Sequence, residues 1–210
     1  MLSDIYKTIN SPSKETLYKE KASKFFGYAF PIQSENDVKE CLEELKKKHH
    51  SAGHFCYAYQ LGVTEIRYRV NDDGEPKNSA GIPIFGQIQS FELTNILVVS
   101  IRYFGGTKLG VGGLISAYKS SAKITLEAAS IIEKTLNVFL VITFNYDLMS
   151  MVMRIIREKK LVIVRQKLEM NCEFEIAVRK NDAEAVFHIF DNLYQVKIIK
   201  NMKKIGRAHV

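Results

Sequence analysis

Apolar and polar residues alternate along this chain with two periods, and each change of period marks an element. Residues 4–9 and 16–19 read as short strands separated by the turn signal Ser11-Pro12-Ser13. Residues 24–32 predict a longer strand. Ser34 stands three residues before Asp37, and Val38, Cys41, Leu42 and Leu45 then recur at helical spacing. This predicts a helix over residues 35–49, with Lys46, Lys47 and Lys48 near the end where the helix dipole favours cations. Residues 55–61 and 65–70 predict a hairpin. The run Asn71-Asp72-Asp73-Gly74-Glu75-Pro76 cannot continue a strand, because Gly74 and Pro76 break it. A short helix over residues 82–90 follows, then Ile96–Tyr103, nearly continuous in Ile, Leu and Val as in a strand covered on both faces. Residues 105–113 predict a glycine-rich loop and residues 114–132 a long helix.

The second half has a simpler order. Residues 136–145 predict a strand, 148–159 a helix, 161–168 and 172–179 two strands, 182–193 a helix capped by Asp182, and 195–202 a final strand. This βαββαβ order is the signature of a ferredoxin-like split-βαβ domain. No internal repeat joins the halves, which places two domains at residues 1–134 and 135–210 of an α+β chain.

Composition narrows the classes. The 210 residues are 46% hydrophobic and 25% charged, with 12 Phe and 10 Tyr, which suits packed cores and excludes bulk disorder. No stretch approaches the roughly 18 apolar residues that cross a bilayer, and residues 1–24 carry scattered charge without an apolar core; no membrane partner and a cytoplasmic location are expected. Three scattered cysteines, Cys41, Cys56 and Cys172, do not form a disulfide framework. Residues 136–210 hold 13 Lys and Arg against 8 Asp and Glu. That excess falls on Lys197, Lys200, Lys203, Lys204 and Arg207, read as without acidic neighbours. Such a strand is a nucleic-acid patch by counterion release, or a solvated face that aids solubility.

Two motifs could carry chemistry. Asp72, Asp73 and Glu75 at a glycine-bent turn could hold Mg²⁺, bind basic groups of a partner, or cap backbone N–H groups. Arg102-Tyr103-Phe104-Gly105-Gly106-Thr107-Lys108-Leu109-Gly110-Val111-Gly112-Gly113 feeds a helix. Arg102 and Lys108 are cationic there, while Gly105, Gly106, Gly110, Gly112 and Gly113 allow a ligand to approach the main chain. The segment is neither a Walker A loop nor Gly-x-Gly-x-x-Gly, so phosphate recognition without a nucleotidase signature competes with plain packing of the loop on the sheet. His54-x-Cys56 lacks a second ligand pair at zinc spacing, and no Gly-x-Ser-x-Gly elbow occurs. Tyr57, Tyr59, Arg67, Tyr68 and Arg69 interleave aromatic and basic groups, as a base-stacking surface or ordinary strand alternation would.

Taken together, the Asn71–Pro76 run, Ala80-Gly81-Ile82-Pro83, the Arg102–Leu114 segment, Ala117-Tyr118, and His54, Cys56, Tyr57 and Ala58 resemble the YigZ/IMPACT family. The likeness covers about residues 20–130, and the second half resembles the smaller C-terminal domain of the bacterial YigZ-type members. It implies an N-terminal α/β sandwich of ribosomal-protein type, similar to domain IV of elongation factor G, before the ferredoxin-like domain, itself similar to that factor's last domain. It further implies RNA or a ribosome- or translation-linked partner and a modulating, non-catalytic role in translation, since eukaryotic IMPACT relatives regulate translation. The family pattern has Ser, Ser, Gly and Thr where this chain has Asn71, Lys77, Asn78 and Ser79, and a changed turn after Pro76 is expected. The working expectation is one surface where acidic turn and glycine segment meet. There, Lys108 and loop amides take phosphate, while Arg102 orients phosphate or the carboxylates. Asp72, Asp73 and Glu75 hold a cation or pair with Arg102, and Lys197, Lys200, Lys203 and Lys204 add affinity. The alternatives are a Mg²⁺-assisted enzyme acting on a phosphate-bearing small molecule, and a protein-binding adaptor.

Overall fold

A computed structural model describes residues 4–205, with side chains described through residue 200. The chain divides into two compact units, one of residues 6–134, the other of residues from 135 onward together with Asp4 and Ile5.

The first unit contains β1 (Ile5–Ile9), β2 (Thr16–Glu20), β3 (Ser23–Pro31), α1 (Glu35–Lys48), β4 (His54–Leu61), β5 (Arg67–Asn71), α2 (Gly81–Ser90), β6 (Ile96–Tyr103), α3 (Gly110–Glu127) and β7 (Ile131–Thr135). Five strands pair in the order β2-β3-β6-β4-β5, antiparallel throughout. Central β6 explains its own composition. Ile96 and Val98 pack beneath α2 and α3 with Phe25, Ile84, Ile88, Ala117 and Tyr118, while Leu97, Val99 and Ile101 face α1 with Val38 and Leu45. Both faces are covered, so no polar alternation is needed. Ser34 caps α1 as its spacing predicts: its Oγ accepts from the Asp37 N–H, and the Asp37 carboxylate accepts from the Ser34 N–H.

Helix α3 departs from the sequence expectation at both ends. It begins at Gly110, so Gly110, Gly112 and Gly113 form its opening turn and only Gly105 and Gly106 lie in loop. Glycine's poor helix propensity is tolerated there because Leu109 and Leu114 are anchored in the core. The helix stops at Glu127, and residues 131–135 form β7, which pairs with β1. The β-branched Ile131 and Ile132 gain a ladder there that their local apolar pattern did not reveal.

The second unit contains β8 (Asn137–Asn145), a 3₁₀ turn at Tyr146–Leu148, α4 (Met149–Glu158), β9 (Val162–Lys167), β10 (Asn171–Arg179), a 3₁₀ turn at Lys180–Asp182, α5 (Ala183–Asp191) and β11 (Val196–Ile205). Its antiparallel sheet has the order β11-β8-β10-β9. Alternate residues Leu140, Ile142 and Phe144 of β8 and Phe174, Ile176 and Val178 of β10 pack against Val152 and Ile156 of α4 and Val186 and Phe190 of α5. Asp4 is tied to this unit: it pairs with Arg179 at 3.1 Å, and its carbonyl accepts from the Leu136 N–H at 2.6 Å. Asp182 precedes α5 but makes no capping bond through its side chain, because it closes the 3₁₀ turn with helical backbone angles. Among the described residues no helix is long and apolar enough to cross a membrane, and the three cysteines are free thiols.

Candidate functional site

The acidic bend is built by backbone geometry that its sequence supplies. Asp73 and Gly74 both have positive φ (39° and 84°), and the Glu75 N–H donates to the Asp72 carbonyl at 2.9 Å, closing a tight Asp-Gly turn. The first two carboxylates then bind the chain itself. Asp72 Oδ1 accepts from the N–H groups of Ala80 and Gly81 at 3.0 and 2.8 Å, and its Oδ2 from the Asn78 N–H at 2.8 Å. It thereby caps α2, whose own Ala80 cannot. Asp73 accepts from the Phe55 N–H at 2.6 Å and ties the bend to β4. Asn78, where the family pattern has glycine, takes a left-handed φ of 63°, which Asn tolerates better than most residues. The changed sequence after Pro76 therefore leaves the turn's backbone closed onto Asp72.

Glu75 reaches inward. Its Oε1 accepts from Arg102 Nη1 at 2.7 Å and from the Tyr118 hydroxyl at 2.8 Å, with the Glu75 side chain only 4% exposed. Cys56 Sγ lies 3.3 Å from the Tyr118 oxygen and 3.0 Å from the Asp72 carbonyl oxygen. Burial pushes the Cys56 thiol far above its usual pKa, and burial followed by the Cys56 and Glu75 contacts raises Tyr118. Both shifts favour the neutral forms. His54 Nδ1–H donates to the Asp73 carbonyl at 2.8 Å, and its Nε2 is 4.0 Å from Glu75. The Mg²⁺ set of Asp72, Asp73 and Glu75 is thus dispersed onto protein donors, and among the described residues no three His, Cys, Asp or Glu side chains gather as a metal site.

Arg102 belongs to this knot rather than to solvent. Its guanidinium is buried between Glu75 and Ser23 Oγ and lies over the rings of Phe25 and Phe104. Of its two expected roles, the geometry has it orient a carboxylate. The glycine segment divides into two kinds of position. A Cβ at Gly105 would lie 2.1 Å from the Ala22 carbonyl carbon, so Gly105 is required for packing, and its N–H donates to Ser23 Oγ. At Gly106, Gly110 and Gly112 nothing lies within 4 Å of an added Cβ. These three, with exposed Lys108, form an approachable stretch of main chain, and Gly113 sits against Leu109. Bend and glycine segment are joined through Arg102 and Tyr118, which flank the segment in sequence.

Among the described side chains, the basic strand is divided. Lys197 and Lys200 fall on opposite faces of β11, and Lys200 pairs with Glu184 and covers the Phe187 ring. The expected lack of an acidic neighbour fails at Lys200, because α5 brings Glu184 from outside the local sequence. The side chains of Lys203 and Lys204 and the whole of Arg207 lie outside the described residues. The Tyr57–Arg69 surface is also split. Tyr59 is buried beneath α1, whereas Tyr68 stacks on Phe85 of α2 with centroids 4.4 Å apart. Ser23 was not foreseen as a site residue. Its neighbour Ala22 has φ 65°, which no short motif announces.

Residues 21–126 match the family model for the Impact N-terminal domain. An IMPACT family member of Bacillus subtilis, YvyE, is 31% identical over 180 residues, covering 86% of this chain and 82% of the relative. YigZ of Escherichia coli is 31% identical over 117 residues, 55% of this chain and 57% of that one. A crystal structure of a hypothetical protein superposes with a TM-score of 0.69 at 20% identity, covering 97% of this chain and all of the other, and shares the fold. The matched segment runs from the turn that receives Gly105 to the last turns of α3, and so contains the whole Glu75–Arg102–Tyr118 knot. This chain belongs to the IMPACT family.

Proposed function

We infer that the protein binds RNA or a ribosome-linked partner through the open glycine segment and so modulates translation without catalysing a reaction. One observation carries the reading: Gly106, Gly110 and Gly112 leave main chain open beside exposed Lys108, at the start of an 18-residue helix with no acidic residue in its first turn. Free N–H groups at a helix start and a nearby ammonium suit phosphate oxygens. The same reading takes the first unit as a sandwich like domain IV of elongation factor G and the second as ferredoxin-like, both folds of translation machinery, and the location as cytoplasmic. The family resemblance supports it, since eukaryotic IMPACT relatives regulate translation. Exposed Lys197 adds non-specific attraction on this reading. Filter binding of mixed RNA across a salt series is the test. Affinity should fall steeply between about 50 and 200 mM salt, and Lys108→Glu should weaken binding about tenfold while reducing the salt slope by about one. Affinity indifferent to salt would refute it.

A further inference from the structure

We propose that Phe104 is a stacking platform for an unpaired base, so that the RNA taken by this surface is single-stranded; the proposal rests on the phosphate-binding reading above. Phe104 leaves β6 just before the glycine segment, and 57% of it is exposed although it is a large apolar ring. The ring is supported from within: Arg102 Cζ lies 5.5 Å from its centroid. Arg102 is itself clamped by Glu75 and Ser23, which holds the cation against the rings of Phe25 and Phe104. A guanidinium against an aromatic ring anchors it while most of the ring meets solvent.

Two residues further on, Gly106 opens the main chain, and Lys108 follows. An unpaired nucleotide presents a π-face and a phosphate close together, and this segment presents a ring and an approachable backbone within five residues. A duplex buries its base faces in its own stack and can use only the phosphate half of that arrangement. Stacking of this kind tolerates every base, so weak sequence preference is expected. Tyr68 is equally exposed, but it stands on edge strand β5 with one face already on Phe85 and without an open glycine segment beside it.

The chain contains no tryptophan, so Phe104→Trp gives a single fluorescent reporter at the platform. This variant is titrated with a mixed-sequence RNA strand of about 12 nucleotides, with the same strand annealed to its complement, and with inorganic phosphate. In parallel, wild type, Phe104→Ala and Phe104→Leu are compared for binding to both RNA forms, with melting temperatures confirming the fold. The single strand should quench the tryptophan and phosphate should not. Both truncations should weaken single-strand binding by about tenfold and leave duplex binding unchanged. If single strand binds wild type but either truncation leaves its affinity within about twofold, or duplex binds as tightly, the platform is refuted while the phosphate reading stands. Absence of RNA binding by wild type would refute both the platform and the RNA form of the reading above.

Discussion

Glu75 accepts two hydrogen bonds while almost wholly buried, one from a guanidinium and one from a phenol. Removing it leaves the Arg102 charge in a low-dielectric site without its partner, a change that costs about 3–5 kcal/mol in buried pairs. Glu75→Ala should therefore lower stability by about that amount in urea denaturation followed by circular dichroism. A Glu75→Met, Arg102→Met double variant should recover most of the loss, because neither charge then needs solvation. Recovery of folding without recovery of ligand binding would separate the knot's structural role from any role at the surface. The acidic run was legible as a turn from Gly74 and Pro76 alone. The division of labour within it was not, because Asp72, Asp73 and Glu75 are chemically alike and differ only in which amides and cations the fold brings to them.

The end of α1 meets the sheet through a chain of polar side chains. His49 Nε2 lies 2.6 Å from the Tyr28 hydroxyl and Nδ1 lies 3.0 Å from that of Tyr103, while Tyr28 donates to Glu15, which also accepts from Lys48 at 2.8 Å. Since Tyr28 gives its proton to Glu15, its oxygen accepts from His49 Nε2–H, and Nδ1 accepts from Tyr103. Burial holds His49 below its ordinary value of 6.5, and Lys48, then Tyr28, hold Glu15 below 4.5. The unfolded chain thus binds more protons than the native one in this range. Stability from this seam is complete above about pH 6.5 and is lost as pH falls through the depressed native values. Burial and Glu15 raise Tyr28 to about 12, so its contribution is present below pH 10 and lost as pH rises towards 12. The melting temperature should drop from pH 7 to pH 5, and His49→Gln should flatten that drop while lowering the plateau. An equal drop in the variant would remove His49 from the account. The helix itself was readable from Ser34, Asp37 and the Val38–Leu45 spacing. Its polar seam was not, because Glu15 and Tyr103 lie 34 and 54 residues from His49 in the chain.

Among the described residues, two apolar clusters belong to the first unit and one to the second. Ile176 is fully buried in the second unit, and Ile176→Ala should destabilise it by about 3 kcal/mol. Hydrogen exchange read by mass spectrometry should then show protection lost over residues 137–199 and kept over residues 23–126. Loss throughout would mean that the units unfold as one. The sequence by itself determined most of the elements, their order and the position of the glycine segment, because period, caps and turn residues act between neighbours a few positions apart. Only the tertiary structure decided that the segment's glycines serve two purposes, with Gly105 packed against the β2–β3 turn and Gly106 left open. It also placed Arg102 inward and converted residues 131–135 from helix to strand. Those outcomes depend on partners such as Glu75, 27 residues from Arg102 and 43 from Tyr118. A buried charge is oriented by whatever the fold brings within about 3 Å of it, and local sequence carries no record of that distance.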